Sequence, residues 1–212
     1  MKFIDQKQTI RQLTEKMSNK ERFAFVTFSR SSFLSITGQI LDDKKLNKYF
    51  TKSISNSLEI KNKNYMRSLY YGMISESTDI DISKIPSISN EYFYDAATLE
   101  NMFLKKRDVF DSFVNFYIKY SNTLVISFYD MRHVQKIIGS PTYHIKVSYN
   151  DYHEKIDDIL SSVQSLGPEV DYCIMGCPTL SAALSGHIWN KTSMSILDFG
   201  KIFTVSSYKT NV

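Results

Sequence analysis

Asp171-Tyr-Cys-Ile-Met-Gly-Cys-Pro-Thr-Leu-Ser-Ala-Ala-Leu-Ser-Gly-His-Ile-Trp189 runs into Ser195-Ile-Leu-Asp-Phe-Gly200, and this stretch decides the fold. An apolar run ends at Gly176, a proline and a threonine open a helix rich in small residues, and a second apolar run ends at Asp198. Strand, turn, helix and strand in that order are the unit from which parallel sheets are built. Ligands of such sheets sit beyond the C-terminal ends of the strands. Gly176 allows close backbone approach, Pro178 suits a first helical turn, and Thr179 offers a hydroxyl and an N–H. The Gly176–Thr179 turn therefore reads as a phosphate cradle or as a plain helix start that holds no ligand. Asp198 reads either as a group for a sugar hydroxyl or a neighbouring base, or as a cap on the turn at Gly200.

Working outward, the same alternation recurs. Residues 5–18 predict a helix, with Ile10, Leu13 and Met17 on one side. Glu21 to Phe28 predicts a strand that stops at Ser29-Arg-Ser-Ser32, a turn able to cap the next helix, Phe33 to Leu41. A helix over Lys44 to Ile54 and a strand over Ser68 to Ile74 follow, then an irregular stretch at 76–90 with two prolines. Asp95 to Tyr120 predicts two helices broken near Lys105–Asp108. Thr123 to Phe128 is a buried strand with Tyr129–Arg132 as its exit and a short helix through Ile138. Tyr143 to Val147 is another strand, and Ser148–Asp151 leads into a helix carrying Ile156, Ile159, Leu160 and Val163. Strands alternating with helices predict one α/β domain over 1–212: an N-terminal helix over 1–20 and a Rossmann-like core over 20–205, its mostly parallel sheet flanked by helices.

The chain has 212 residues, 42% apolar, which is enough for a substantial core. A net charge of +4 permits contact with polyanions without a clustered basic signature. Cys173 and Cys177 read as reduced thiols rather than a disulfide framework. The N-terminus is polar and no apolar run reaches the ~18 residues of a membrane span, so a cytoplasmic protein is expected. The four histidines, His133, His144, His153 and His187, show no metal-ligand spacing. Walker loop, GxGxxG, HExxH and nucleophile-elbow patterns are missing. Arg30, in the turn after the first long strand, is suited to a phosphate, and also to a solvated turn. Asp95, Asp130, Arg132 and Asn150 fall at segment boundaries, and a parallel sheet places several of them on one rim.

The terminal unit resembles the GT-D class of glycosyltransferases, whose chains end with an apolar strand, a Gly-Pro-Thr-like turn, a helix, and a strand ending in Asp-Ile-Gly or Asp-Val-Gly. The matching residues are Gly176, Pro178, Thr179 and Asp198-Phe-Gly200. Val147-Ser-Tyr-Asn150 with Lys155-Ile-Asp-Asp-Ile-Leu160, and Phe93-Tyr-Asp-Ala-Ala97, are similar to further elements of the class. Phe23-Ala-Phe-Val-Thr-Phe28 matches the strand that leads into its Asp-x-Glu motif. The resemblance spans roughly residues 20–205. It departs at one point: where the class has Gly-Asp-Gly-Glu, this chain has Ser29-Arg-Ser-Ser32. Both metal-associated carboxylates are missing, so no divalent metal or other cofactor is expected, and Arg30 becomes the expected countercharge for a diphosphate.

The resemblance implies sugar transfer from a nucleotide-sugar donor, probing Ser29, Arg30, Ser31, Ser32, Gly176, Pro178 and Thr179 as the donor site. Asp130 and Asp198 are the candidates for acceptor activation, with Asp95, Arg132 and Asn150 positioning substrate. Two alternatives stand beside it. One is a catalytically silent binding domain of the same fold. The other is a phage-type enzyme of the host cytoplasm acting on modified DNA bases, compatible with the composition and the mild positive charge.

Overall fold

The computed structural model describes residues 2–39, 48–70, 85 and 91–208. The terminal unit forms as its sequence predicts: β7 (Tyr172–Gly176), α8 (Pro178–Lys191) and β8 (Ser195–Asp198). Pro178 opens α8, where its missing N–H is not needed. Helix α8 is buried on nearly all sides, from Leu180 to Trp189. Its small residues allow this, because the helix is clamped between the sheet and α3 (Lys48–Leu58). At the closest point the Gly186 N–H donates to Ser57 Oγ at 2.9 Å.

Among the described residues, one sheet of eight strands runs β1 (Lys2–Ile4), β4 (Tyr92–Asp95), β3 (Tyr65–Leu69), β2 (Ala24–Thr27), β8, β7, β5 (Thr123–Ser127), β6 (Tyr143–Lys146). Every neighbouring pair is parallel. The central strands are apolar on both faces, as burial under two helical layers requires. Ala24 and Val26 of β2 and Cys173 and Met175 of β7 face one layer, which holds α2 (Arg30–Ile36), α3, α7 (Ile156–Ser165) and α8. Phe25, Ile174 and Leu197 face the other, built from α1 (Gln6–Ser18), α4 (Ala97–Lys105), α5 (Arg107–Tyr117), α6 (Met131–Ile138) and α9 (Ile202–Tyr208). Among the described residues no helix is long and apolar enough to cross a membrane.

The N-terminal half departs from the sequence reading. Lys2–Ile4 is an edge strand, and Tyr92–Asp95 is a strand rather than the approach to a helix. Strand β3 starts at Tyr65, three residues before the expected Ser68, because Arg67 is buried within it: its guanidinium donates to the Leu58 carbonyl at 2.9 Å and pairs with Glu91. Helix α2 starts at Arg30, because Ser29 is its cap, and ends at Ile36. Helix α3 runs on to Leu58, beyond the expected Ile54. Residues 40–41 and 44–47 of two expected helices, 71–74 of an expected strand, and most of the 76–90 stretch lie outside the described residues.

Candidate functional site

With all strands parallel, every strand exit lies on one rim. Its order across the sheet is Asp95 (β4), Tyr70 (β3), Ser29–Ser32 (β2), Asp198 (β8), Gly176–Thr179 (β7), Asp130 and Arg132 (β5), and Asn150 (β6). From β2 the chain proceeds to β3 and β4 on one side, and it arrives at β8 from the other. The β2–β8 seam is thus a topological switch point, the place where open α/β sheets receive ligands.

The two turns singled out in the sequence meet at this seam. Ser29 Oγ lies 3.5 Å from Thr179 Oγ1, though the two are 150 positions apart in the chain. Ser29 caps α2: its Oγ accepts from the Ser32 N–H at 3.3 Å, and Ser32 Oγ accepts from the Ser29 N–H at 3.2 Å. Arg30, next to the cap, is exposed. Gly176 is forced by packing, since a Cβ there would stand 2.1 Å from the Phe203 ring.

Asp198 lies under the seam, 2% exposed. Its Oδ2 accepts from the Thr27 N–H at 3.2 Å and its Oδ1 from the Gly200 N–H at 2.9 Å. Burial raises its pKa to about 7, although these two amides favour the charged form. The Ser181 hydroxyl lies near enough to favour the charged form weakly, while completing no hydrogen bond of ordinary geometry. Both carboxylate oxygens are committed to the backbone, so Asp198 reaches an acceptor only if one of those bonds opens.

The other candidates are spread along the rim. Asp130 caps α6, its Oδ1 accepting from the His133 N–H at 2.8 Å, and that bond holds its carboxyl below the usual range. Arg132 and Asn150 are exposed. Asp95 closes a turn onto the Ala97 N–H at 2.9 Å and lines a cavity of about 500 Å³ with Phe3 to Lys7. It stands two strands from β2, roughly 10 Å at ~4.8 Å per strand. The structure therefore joins Ser29–Ser32, Asp198 and Gly176–Thr179 at one point, and leaves Asp95, Asp130, Arg132 and Asn150 on the flanks. A cavity of about 480 Å³ lined by Lys61, Lys63, Arg67, Glu91 and Tyr92 opens at the opposite edge of the sheet, away from this rim.

Two features escaped the sequence reading. Tyr70 donates to Glu100 Oε2 at 3.2 Å, with Lys201 Nζ 5.2 Å from its ring centre. Burial first, then the charges of Glu100 and Asp198, push its hydroxyl far above the ordinary tyrosine value. The early end of β3 at Leu69 makes Tyr70 a rim residue, and a correct strand boundary is the signal that would have found it. The second feature is an aromatic cluster of Phe128, Tyr149 and Tyr152, which only tertiary structure assembles.

Among the described residues no three of His, Cys, Asp and Glu gather to hold a metal ion. At the Asp-x-Glu position stand neutral hydroxyls and a cation. The four histidines are engaged by the protein itself: His133 with the Phe203 carbonyl, His144 with Ser127, His187 with Ser53 and His153 with Glu154.

No protein-family model matches the sequence, and no curated protein matches it. Solved structures do match in fold. One, "Selenomethionine substituted structure of domain of unknown function 1792 (DUF1792)", superposes with a TM-score of 0.72 at 10% identity, over 100% of this chain and 83% of that one. A second is described by the statement that this highly conserved domain "has a distinct glycosyltransferase fold"; it gives 0.70 at 9% identity over 100% and 83%. A third, "A New Glycosyltransferase (DUF1792) from Streptococcus sanguinis", gives 0.73 at 10% identity over 100% and 85%. What is shared at such identity is the fold: a parallel α/β sheet of the glycosyltransferase type, as the GT-D resemblance anticipates.

Proposed function

We propose that this chain, which has the glycosyltransferase fold of the DUF1792 domains, transfers a sugar from a nucleotide-sugar donor without a divalent metal. The observation that carries the reading is the meeting of Ser29 and Thr179 at the β2–β8 switch point. Two turns bearing the half-buried hydroxyls of Ser29 and Thr179 converge where such folds take a ligand. Ser29, Ser31, Ser32, Gly176, Pro178 and Thr179 line the donor diphosphate. Arg30 supplies the positive charge that a metal gives elsewhere, as a planar fork matched to phosphate oxygens.

Acceptor activation falls to Asp130 or Asp198. Asp198 has the basicity suited to neutral pH, and Asp130 has the exposure. Asp95, Arg132 and Asn150 position substrate from the flanks.

Calorimetric titration against uridine, guanosine and adenosine diphosphate sugars tests the donor site, with chelator present throughout. Binding by the wild type that Arg30→Ala weakens at least tenfold is the expected result. Binding unchanged in both Arg30→Ala and Thr179→Val sinks the assignment.

A second reading, a silent binding domain, is favoured by one observation. The polar groups of the seam already satisfy one another, in the Ser29–Ser32 cap and in the two amides on Asp198. Donor binding with neither hydrolysis nor transfer to any acceptor would select it.

A further inference from the structure

Phe128, Tyr149 and Tyr152 form a wall beyond the ends of β5 and β6. The Phe128 and Tyr149 rings meet edge-on with centroids 5.2 Å apart, Phe128 and Tyr152 lie at 5.6 Å, and Tyr149 and Tyr152 at 6.3 Å. Phe50 of α3, fully buried, roots the wall edge-on against Tyr152 at 5.6 Å. Tyr149 is the outermost ring and is 66% exposed. Single exposed aromatics are common on protein surfaces. Tyr149 differs in that two other rings brace it and fix the direction of its face.

The wall stands in the layer of α2 and α8, since Phe128 and Tyr152 pack on that layer's core. The Gly176–Thr179 turn reaches towards it: the Cys177 Sγ–H donates to the Ile126 carbonyl of β5 at 3.2 Å, two residues before Phe128. The exits of β5 and β6 lie one and two strands from β7, which sets Tyr149, leaning onto Phe128, roughly 5–10 Å along the rim from that turn at ~4.8 Å per strand. This is the reach of a ribose and its base beyond their diphosphate.

We propose that Tyr149 stacks on the nucleobase of the donor, held in place by Phe128 and Tyr152, with Asn150 beside it offering its amide to the base edge. The inference rests on the reading of the two turns as the donor phosphate site. Stacking supplies affinity for any base, because every base has a π-face. An amide pairing with the edge supplies choice among bases.

The test is titration of wild type, Tyr149→Ala and Tyr149→Phe with the three nucleotide sugars, and with inorganic pyrophosphate as a probe without a base. Tyr149→Ala is expected to bind nucleotide sugars about ten- to a hundred-fold more weakly. Tyr149→Phe should keep wild-type affinity, and pyrophosphate should not distinguish the three proteins. Nucleotide-sugar affinity unchanged in Tyr149→Ala overturns the stacking role while leaving the phosphate site intact. An equal loss for pyrophosphate also overturns it, since Tyr149 then acts on the phosphates or on the fold. Failure of the wild type to bind either probe removes the donor reading and this inference with it.

Discussion

Asp198 accepts the Thr27 amide across the seam between β8 and β2, at 3.2 Å. The bond ties the exits of two central strands together through a carboxyl that water does not reach. Burial lifts its pKa from the ordinary 3.8 to about 7. The folded protein therefore holds this proton more tightly than the unfolded chain. Its contribution to stability is full below about pH 4 and is lost as pH rises through about 7, roughly 4 kcal/mol in all. Asp198→Asn cannot ionise, but it sets an NH₂ group against one of two amides, at about 1–3 kcal/mol. The variant is expected to be the less stable protein at pH 5, with the gap narrowing towards pH 8. Urea melts at both pH values check this, and a constant gap would refute a carboxyl poised near neutrality.

Ser29→Ala removes one half of the reciprocal cap with Ser32. A loss of about 1 kcal/mol is expected in the absence of nucleotide. Adding Ser32→Ala should cost less than a second independent cap, because the two hydroxyls also bond each other at 3.1 Å and the first substitution already breaks that contact. A double-mutant cycle on urea midpoints measures the coupling, and strict additivity would count against the shared cap.

Gly186→Ala brings a Cβ to 2.5 Å from Ser57 Oγ and 3.1 Å from Ser57 Cα, at the crossing of α8 and α3. Destabilisation of about 1–3 kcal/mol is expected. Ser57→Ala added to it should restore only part of the loss, since the backbone contact remains and the Gly186 N–H has lost its acceptor. Complete rescue would show that the side chain alone sets the helix spacing.

Cys173 and Cys177 are fully buried, and burial, with the Asp198 charge adding to it, pushes both thiols far above their ordinary value. The thiolate is the reactive form. Ellman's reagent should label neither cysteine in the native protein and both in 8 M urea, a standard denaturing concentration of roughly this size being ample for a domain with an m-value of about 1–3 kcal/mol/M. Rapid native labelling of Cys177 would show that the Gly176–Thr179 turn opens to solvent.

The C-terminal half of the fold was legible because its signals are local. Gly176, Pro178 and the apolar runs around them punctuate β7, α8 and β8 without help from distant residues. The break between α4 and α5 at Lys106 falls where the charged stretch predicts it. The N-terminal half was less legible because distant partners decide it. Arg67 looks wrong for a buried strand until Glu91 and the Leu58 carbonyl neutralise and satisfy it. Strand β1 has only three residues and gains its identity by pairing with Tyr92–Tyr94.

The candidate site divides the same way. Turn residues such as Ser29 and Thr179 declare themselves by type, though only the fold shows that they touch. The Phe128–Tyr149–Tyr152 wall and the Tyr70–Glu100 pair have no spacing to betray them. Each joins residues of different elements that only the folded chain brings side by side.

An all-parallel sheet contains no hairpin, and its order sets a timetable for synthesis. Strand β8, drawn from residues 195–198, is the piece that joins β2 to β7. Until it leaves the ribosome, the four strands nearest the N-terminus and the three that follow them are separate half-sheets, each with an open inner edge. Closure then depends on contacts far apart in sequence, the slow kind, and the nascent halves are exposed to mispairing meanwhile. The seam that brings Ser29 to Thr179 accordingly cannot close before residues 195–198 are made.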